Sequence, residues 1–239
     1  MSLHQYYRDA RAPRYAILFA VPLLLAYEVL ALLLADSAGG VRNGADVLLK
    51  WLFVSMGGGR GLLVFNLLLL GIGTALVVAD WRRHRGPLSP RVFGLMLLES
   101  AVLALLVGIV VGQVTRTLVQ HLSLQGIEGF GLGTQLMLSL GAGLYEELLF
   151  RVLLVGALAL VGERVFGWRR REAGIMACVV GALIFSAFHY IGPYGDPWQL
   201  ASFTFRFLAG LVFSALYLTR GFGITAWTHA LYDVYVTIG

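Results

Sequence analysis

Charged residues and cysteine are both scarce in this sequence of 239 residues. Only 13% of the residues are charged, whereas a soluble domain carries about 25%, so the chain has too little polar surface for a soluble globule. The single cysteine, Cys178, excludes a disulfide within the chain. Apolar residues make up 59% of the sequence, and the mean hydropathy is +0.81. The composition therefore predicts an integral membrane protein whose apolar surface contacts the lipid bilayer.

Long apolar runs divide the sequence into candidate transmembrane helices. A helix needs about 20 mostly apolar residues to cross the hydrocarbon layer, and its backbone must satisfy its own hydrogen bonds there. The sequence predicts an all-α fold, a polytopic transmembrane helical bundle of about seven to eight spans. Seven spans are predicted at residues 15–35, 62–79, 92–114, 132–161, 173–191, 200–218 and 223–238. A missed or re-entrant segment at residues 47–56 would make the eighth.

Basic residues predict the orientation of these spans, because short cytoplasmic loops hold the excess of Lys and Arg. With the N-terminus inside, 12 basic residues fall on the cytoplasmic side and 4 on the outer side, which are Arg42, Lys50, Arg60 and Arg116. We therefore expect a cytoplasmic N-terminus. Arginine strongly outnumbers lysine, which is typical of a GC-rich bacterial genome, and we expect a protein of the bacterial cytoplasmic (inner) membrane. The basic residues lie in short clusters between apolar runs, so a nucleic-acid partner is not expected despite the net charge of +5.

Ionisable side chains occur within the last four predicted spans, although each costs about 2.5 to 3.5 kcal/mol on insertion scales. They are Glu146, Glu147, Arg151, His189, Arg206, His229 and Asp233. Residues four apart share a helix face, so we expect Glu147 to face Arg151 and His229 to face Asp233. The first pair alone would be interpreted as a structural ion pair. The whole group is too costly for packing alone and indicates a buried functional site.

Six of these seven residues fall in three motifs on the late spans. Residues 146–151 read E-E-x-x-x-R, residues 185–189 read F-x-x-x-H, and residues 229–233 read H-x-x-x-D. In this order they resemble the CPBP (ABI) family of intramembrane proteases, which includes the type II CAAX prenyl endopeptidases. The resemblance covers about residues 132–238. We predict a catalytic helical core at residues 132–239, preceded by N-terminal transmembrane helices without motif at residues 1–131, all within one membrane domain.

The resemblance implies an intramembrane endopeptidase acting on membrane-anchored or lipidated peptides and proteins. By position, Glu146 would activate water, with His189 sharing that water. Glu147 and Arg151 would support the site electrostatically, and His229 and Asp233 would stabilise the oxyanion. An ionised aspartate cannot donate a hydrogen bond, so a metalloprotease alternative stays open, with zinc held by ligands drawn from His189, His229, Glu146 and Asp233. No cofactor is certain, and zinc is the candidate.

Two other functions use comparable residues. A proton-coupled transporter also places acids and histidines in the membrane, but it predicts repeat symmetry that this sequence lacks. A non-catalytic membrane scaffold or immunity factor would not need the full acid–histidine set. Residue counting puts Glu146 near mid-membrane, His229 nearer the cytoplasmic side and His189 nearer the outer side. These three residues can meet only if helices tilt, break or begin elsewhere.

Overall fold

A computed structural model describes residues 1–118, 130–192 and 195–238, and their regular secondary structure is entirely helical. This confirms the predicted all-α class. A π-helical segment, Ala142–Val155, joins α5 to α6 without a break. The α-helices are α1 (Leu3–Arg11), α2 (Pro13–Leu33), α3 (Gly44–Arg83), α4 (Pro90–Leu118), α5 (Leu132–Gly141), α6 (Gly156–Arg164), α7 (Arg170–Phe188), α8 (Leu200–Arg220) and α9 (Phe222–Ile238).

Each predicted span lies on one of these helices. In the described part of the chain, α2, α3, α4, α7 and α8 are each long and apolar enough to cross a membrane. The continuous helix from α5 to α6 is longer than α4, and α9 has 17 residues, which at 1.5 Å per residue extend about 26 Å. The chain is therefore an integral membrane protein built as a helical bundle. One predicted boundary is wrong, because α7 ends at Phe188 and leaves His189 at its C-cap.

The first part of α3 is a helical segment that the seven-span prediction omits. Gly58 has a positive φ of 56°, a conformation that glycine adopts at little steric cost, and it breaks the helix in two. The rings of Phe53 and Phe65 lie 5.5 Å apart, whereas a straight helix would separate these positions by about 18 Å. The two halves of α3 thus fold back on each other as a hairpin. Residues 47–56 form helix in its first arm, as the eight-segment alternative predicts.

Helix α9 packs against α2, α4, α5 and the π-helical segment. Gly143 permits one of these contacts, because a Cβ at this position would lie 2.5 Å from the carbonyl oxygen of Ala226. On another side of α9, Trp227 Nε1 donates to the carbonyl of Phe19 at 2.6 Å. Polar residues at the start and middle of α9 are thereby enclosed by helices from both halves of the chain.

Candidate active site

The two neighbouring glutamates lie on the π-helical segment. The N–H of Gly156 donates to the carbonyl of Arg151, five residues earlier, which is the π-helical pattern. Such wide turns occur frequently at functional sites. The predicted contact survives the wider turn, since Arg151 Nε lies 3.2 Å from Glu147 Oε2.

Glu147 also binds a histidine from another helix, a contact that the sequence did not predict. His229 Nδ1 lies 2.6 Å from Glu147 Oε1, and the relative exposures of Glu147, Arg151 and His229 are 0%, 1% and 5%. A carboxylate paired with arginine only accepts hydrogen bonds, so we assign the hydrogen to Nδ1 of His229. The other ring nitrogen, Nε2, is then the one left for chemistry.

The His229 imidazole is fixed from two further directions. Its Nε2 lies 3.6 Å from Asp233 Oδ2, which confirms that these residues face each other but is too long for a hydrogen bond. The ring of Phe213 in α8 stacks on the imidazole, with centroids 4.4 Å apart and planes at 19°. The hydrogen bond at Nδ1 and the stacked ring together fix the orientation of the imidazole, and with it the direction of Nε2.

The Arg151 guanidinium lies between two aromatic rings. Its Cζ is 4.3 Å from the centroid of Phe185 and 5.6 Å from that of Phe213, so cation–π attraction adds to the charge of Glu147. Among the described residues, neither Nη1 nor Nη2 has a hydrogen-bond partner. Arg151 therefore serves as a buried counter-charge for the acids of the π-helical segment.

His189 enters the site from the turn that follows α7. Its Nδ1 lies 2.9 Å from the carbonyl oxygen of Phe185, and because a carbonyl only accepts, Nδ1 carries the hydrogen. The Phe185 ring meets the imidazole edge to face, with centroids 4.9 Å apart, and packs beside it as the spacing of four residues allows. Arg206, the remaining ionisable residue of the late spans, pairs with Asp196 in the connection before α8.

Glu146 is the point at which these elements converge. Its carboxylate interacts electrostatically with both His189 and His229, so the difference in depth expected from residue counting does not keep the three apart. Its Oε1 accepts a hydrogen bond of 2.9 Å from Nδ2 of Asn43, at the start of α3. Sequence reasoning missed Asn43. The available signal was its N-cap pattern, an asparagine followed three residues later by the acidic Asp46.

A zinc centre requires at least three protein ligands around one point. Within residues 1–118, 130–192 and 195–238, no group of three or more His, Cys, Asp or Glu side chains is placed to hold a metal ion. The suggested ligands His189, His229, Glu146 and Asp233 are therefore not placed around one point that would hold zinc in this arrangement.

The fold and the site define a membrane-embedded helical protein with a buried cluster of acids and histidines. Residues 129–235 match the family model described as type II CAAX prenyl endopeptidase, Rce1-like. Over this segment the chain is similar to the type II CAAX prenyl endopeptidases, whose general class is the intramembrane CAAX-type endopeptidase. No curated protein matches the chain. No solved structure matches it either.

Proposed function

We propose that this chain is an intramembrane endopeptidase that hydrolyses peptide bonds of membrane-anchored or lipidated substrates in a bacterial inner membrane, with its N-terminus in the cytoplasm. The convergence of Glu146, His189 and His229 supports this proposal most directly. The three residues come from the π-helical segment, the end of α7 and α9, and both histidines lie within electrostatic range of the Glu146 carboxylate. The family match supports the same class of reaction.

Glu146 and His189 would activate the attacking water. The Glu146 carboxylate takes one proton from the water as its oxygen attacks the scissile carbonyl carbon, and it later passes that proton to the departing amine nitrogen. His189 has its Nδ1–H committed to the Phe185 carbonyl. Its Nε2 therefore accepts from the same water and orients one lone pair of the oxygen for attack.

His229 would stabilise the negative charge that develops on the scissile oxygen. In the imidazolium form its Nε2 also carries a hydrogen and donates to the oxyanion, and the charge is balanced by Glu147 and Asp233 on either side. Glu147 and the stacked ring of Phe213 hold the donor in place before the substrate arrives. Arg151 compensates Glu147, so this buried carboxylate is not left as an unpaired charge in the membrane.

The decisive experiment compares the purified full chain with Glu146→Gln in detergent. The probes are a fluorogenic farnesylated peptide with a C-terminal C-a-a-X sequence, its unprenylated form, and a transmembrane leader peptide. The parent should cleave at least one lipidated or transmembrane probe. Glu146→Gln, which keeps the shape of the side chain but not the base, should lose about 10²- to 10⁴-fold in rate.

The matched control is Glu163→Gln. Glu163 lies near the end of α6, about 25 Å from Glu146 along the same continuous helix. It should retain the parental rate. Equal cleavage by the parent and by Glu146→Gln, or no cleavage of any probe by the parent, would remove the proposal. Solute flux in proteoliposomes without hydrolysis would instead favour the transporter alternative.

A further inference from the structure

A residue outside the family-matched segment contacts the proposed general base. Asn43 precedes α3, is 6% exposed, and donates from Nδ2 to Glu146 Oε1 at 2.9 Å. The two residues are 103 positions apart in the sequence. Close packing holds their elements together, because a Cβ on Gly141 would lie 2.9 Å from Cβ of Asn43 and 2.5 Å from the ring of Tyr27.

The orientation of the Asn43 amide follows from its second role as helix cap. Its Oδ1 accepts from the backbone N–H groups of Ala45 at 2.9 Å and Asp46 at 3.4 Å. Only the carbonyl oxygen of the side chain can accept these bonds. The NH₂ group must therefore face away from α3 and towards Glu146, so the amide assignment does not depend on the contact with Glu146 itself.

A buried polar network fixes Asn43 from the other side. Its backbone N–H donates to the hydroxyl of Tyr27 at 3.2 Å, and that hydroxyl donates to Asp46 Oδ2 at 2.8 Å. Asp46 is fully buried and is balanced by Lys50 at 2.7 Å and Arg42 at 3.1 Å. Asn43 is thus held at its backbone nitrogen and at Oδ1, which leaves its Nδ2 little freedom to follow a moving carboxylate.

The same network reaches the residue beside Glu146. The hydroxyl of Tyr145 donates to Glu28 Oε1 at 3.0 Å, and Glu28 pairs with Arg42 and Lys50 at 3.0 and 3.1 Å. One set of paired charges therefore anchors both Asn43 and the backbone position that precedes Glu146. The N-terminal helices contribute to the geometry of the site as well as to the bundle.

We infer that Asn43 is a positioning residue for Glu146: its amide holds Oε1 of the carboxylate in place, so that Oε2 is the oxygen presented to water. The inference rests on the proposed function, because it assigns Asn43 a task only if Glu146 acts as a base. It also extends the working site beyond residues 129–235, the segment that the family model matches.

The test uses the full chain in detergent with the farnesylated C-a-a-X peptide and two substitutions that keep the α3 cap. Asn43→Ser retains a capping oxygen but removes the donor to Glu146. It should lower kcat about tenfold with little change in KM, since a charge-assisted hydrogen bond to the base is lost. The second substitution, Asn43→Asp, also keeps the cap but places a second carboxylate against that of Glu146. It should move the acidic limb of the kcat profile about one pH unit upwards, because the like charge favours the protonated acid.

The control is Asn66→Ser, an exposed asparagine in the second half of α3 whose amide bonds only to the carbonyl of Leu62. It should keep the parental kcat and pH profile. Parental kcat in Asn43→Ser together with an unmoved profile in Asn43→Asp would overturn the inference and leave the proposed function standing. A raised KM at constant kcat would also overturn it, since Asn43 would then contact substrate.

If Asn43→Ser does not fold, the pH profile of Asn43→Asp alone decides the inference. A parent that cleaves no probe would overturn both proposals.

Discussion

Replacement of Arg151 by methionine tests whether the buried ion pair supports the fold. The substitution keeps a long apolar stem but leaves Glu147 without the guanidinium that lies 3.2 Å away. Removing one partner of a buried pair costs about 3 to 5 kcal/mol, because the other charge stays buried and uncompensated. For a chain of this size each kcal/mol lowers the melting temperature by about 2 to 4 °C. Arg151→Met should therefore unfold roughly 6 to 20 °C below the parent.

The assay is thermal unfolding in one detergent, followed by tryptophan fluorescence and by loss of the monodisperse elution peak. The double variant Arg151→Met, Glu147→Leu removes both charges, so its loss of stability should be smaller than the sum of the two single losses. Arg8→Met is the control, since Arg8 lies 3.6 Å from Asp9 with its side chain 77% exposed and such pairs contribute little. A parental melting temperature for Arg151→Met, or strict additivity in the double variant, would refute the reasoning.

Three further predictions concern the chemistry of the site. Asp233→Asn should keep hydrolysis within about tenfold of the parent, because the 3.6 Å separation from His229 indicates charge balance and an amide can donate to an oxyanion; complete loss of turnover would contradict this. Phe213→Leu should lower kcat more than it raises KM, since it removes the ring stacked on His229; unchanged steady-state constants would contradict that role. Dialysis against 1,10-phenanthroline should leave the rate of peptide cleavage unchanged, whereas loss that zinc restores would revive the metal alternative.

The sequence predicts contacts within one helix better than contacts between helices. Pairs four residues apart, such as Glu147 with Arg151 and His229 with Asp233, face each other as expected because local geometry alone decides them. The bond from Glu147 to His229 joins residues 82 positions apart. Helical periodicity carries no information about such a distance, so only the packed bundle reveals which glutamate meets which histidine.

Two local departures from ideal helices explain why the predicted depths did not agree. The π-helical turn changes the direction in which Glu146 and Glu147 point. The amino-acid composition of the segment does not predict this turn. The end of α7 at Phe188 releases His189 into a turn, where it need not follow the helix towards the outer surface. Asn43 was missed because its bond to Glu146 joins residues 103 positions apart, and a capping pattern does not indicate which distant side chain the amide will reach.

The three proposed reactive groups share one physical arrangement, in which one polar atom is occupied and the other is left for chemistry. Asn43 binds Oε1 of Glu146, the Phe185 carbonyl binds Nδ1 of His189, and Glu147 binds Nδ1 of His229. Because each group has one polar atom anchored in the folded chain, its orientation is set before substrate arrives, and less reorganisation is needed during the reaction. Loss of an anchor should then reduce kcat while the reactive side chain itself remains in place. That result would distinguish orientation from the simple presence of acids and histidines in the membrane.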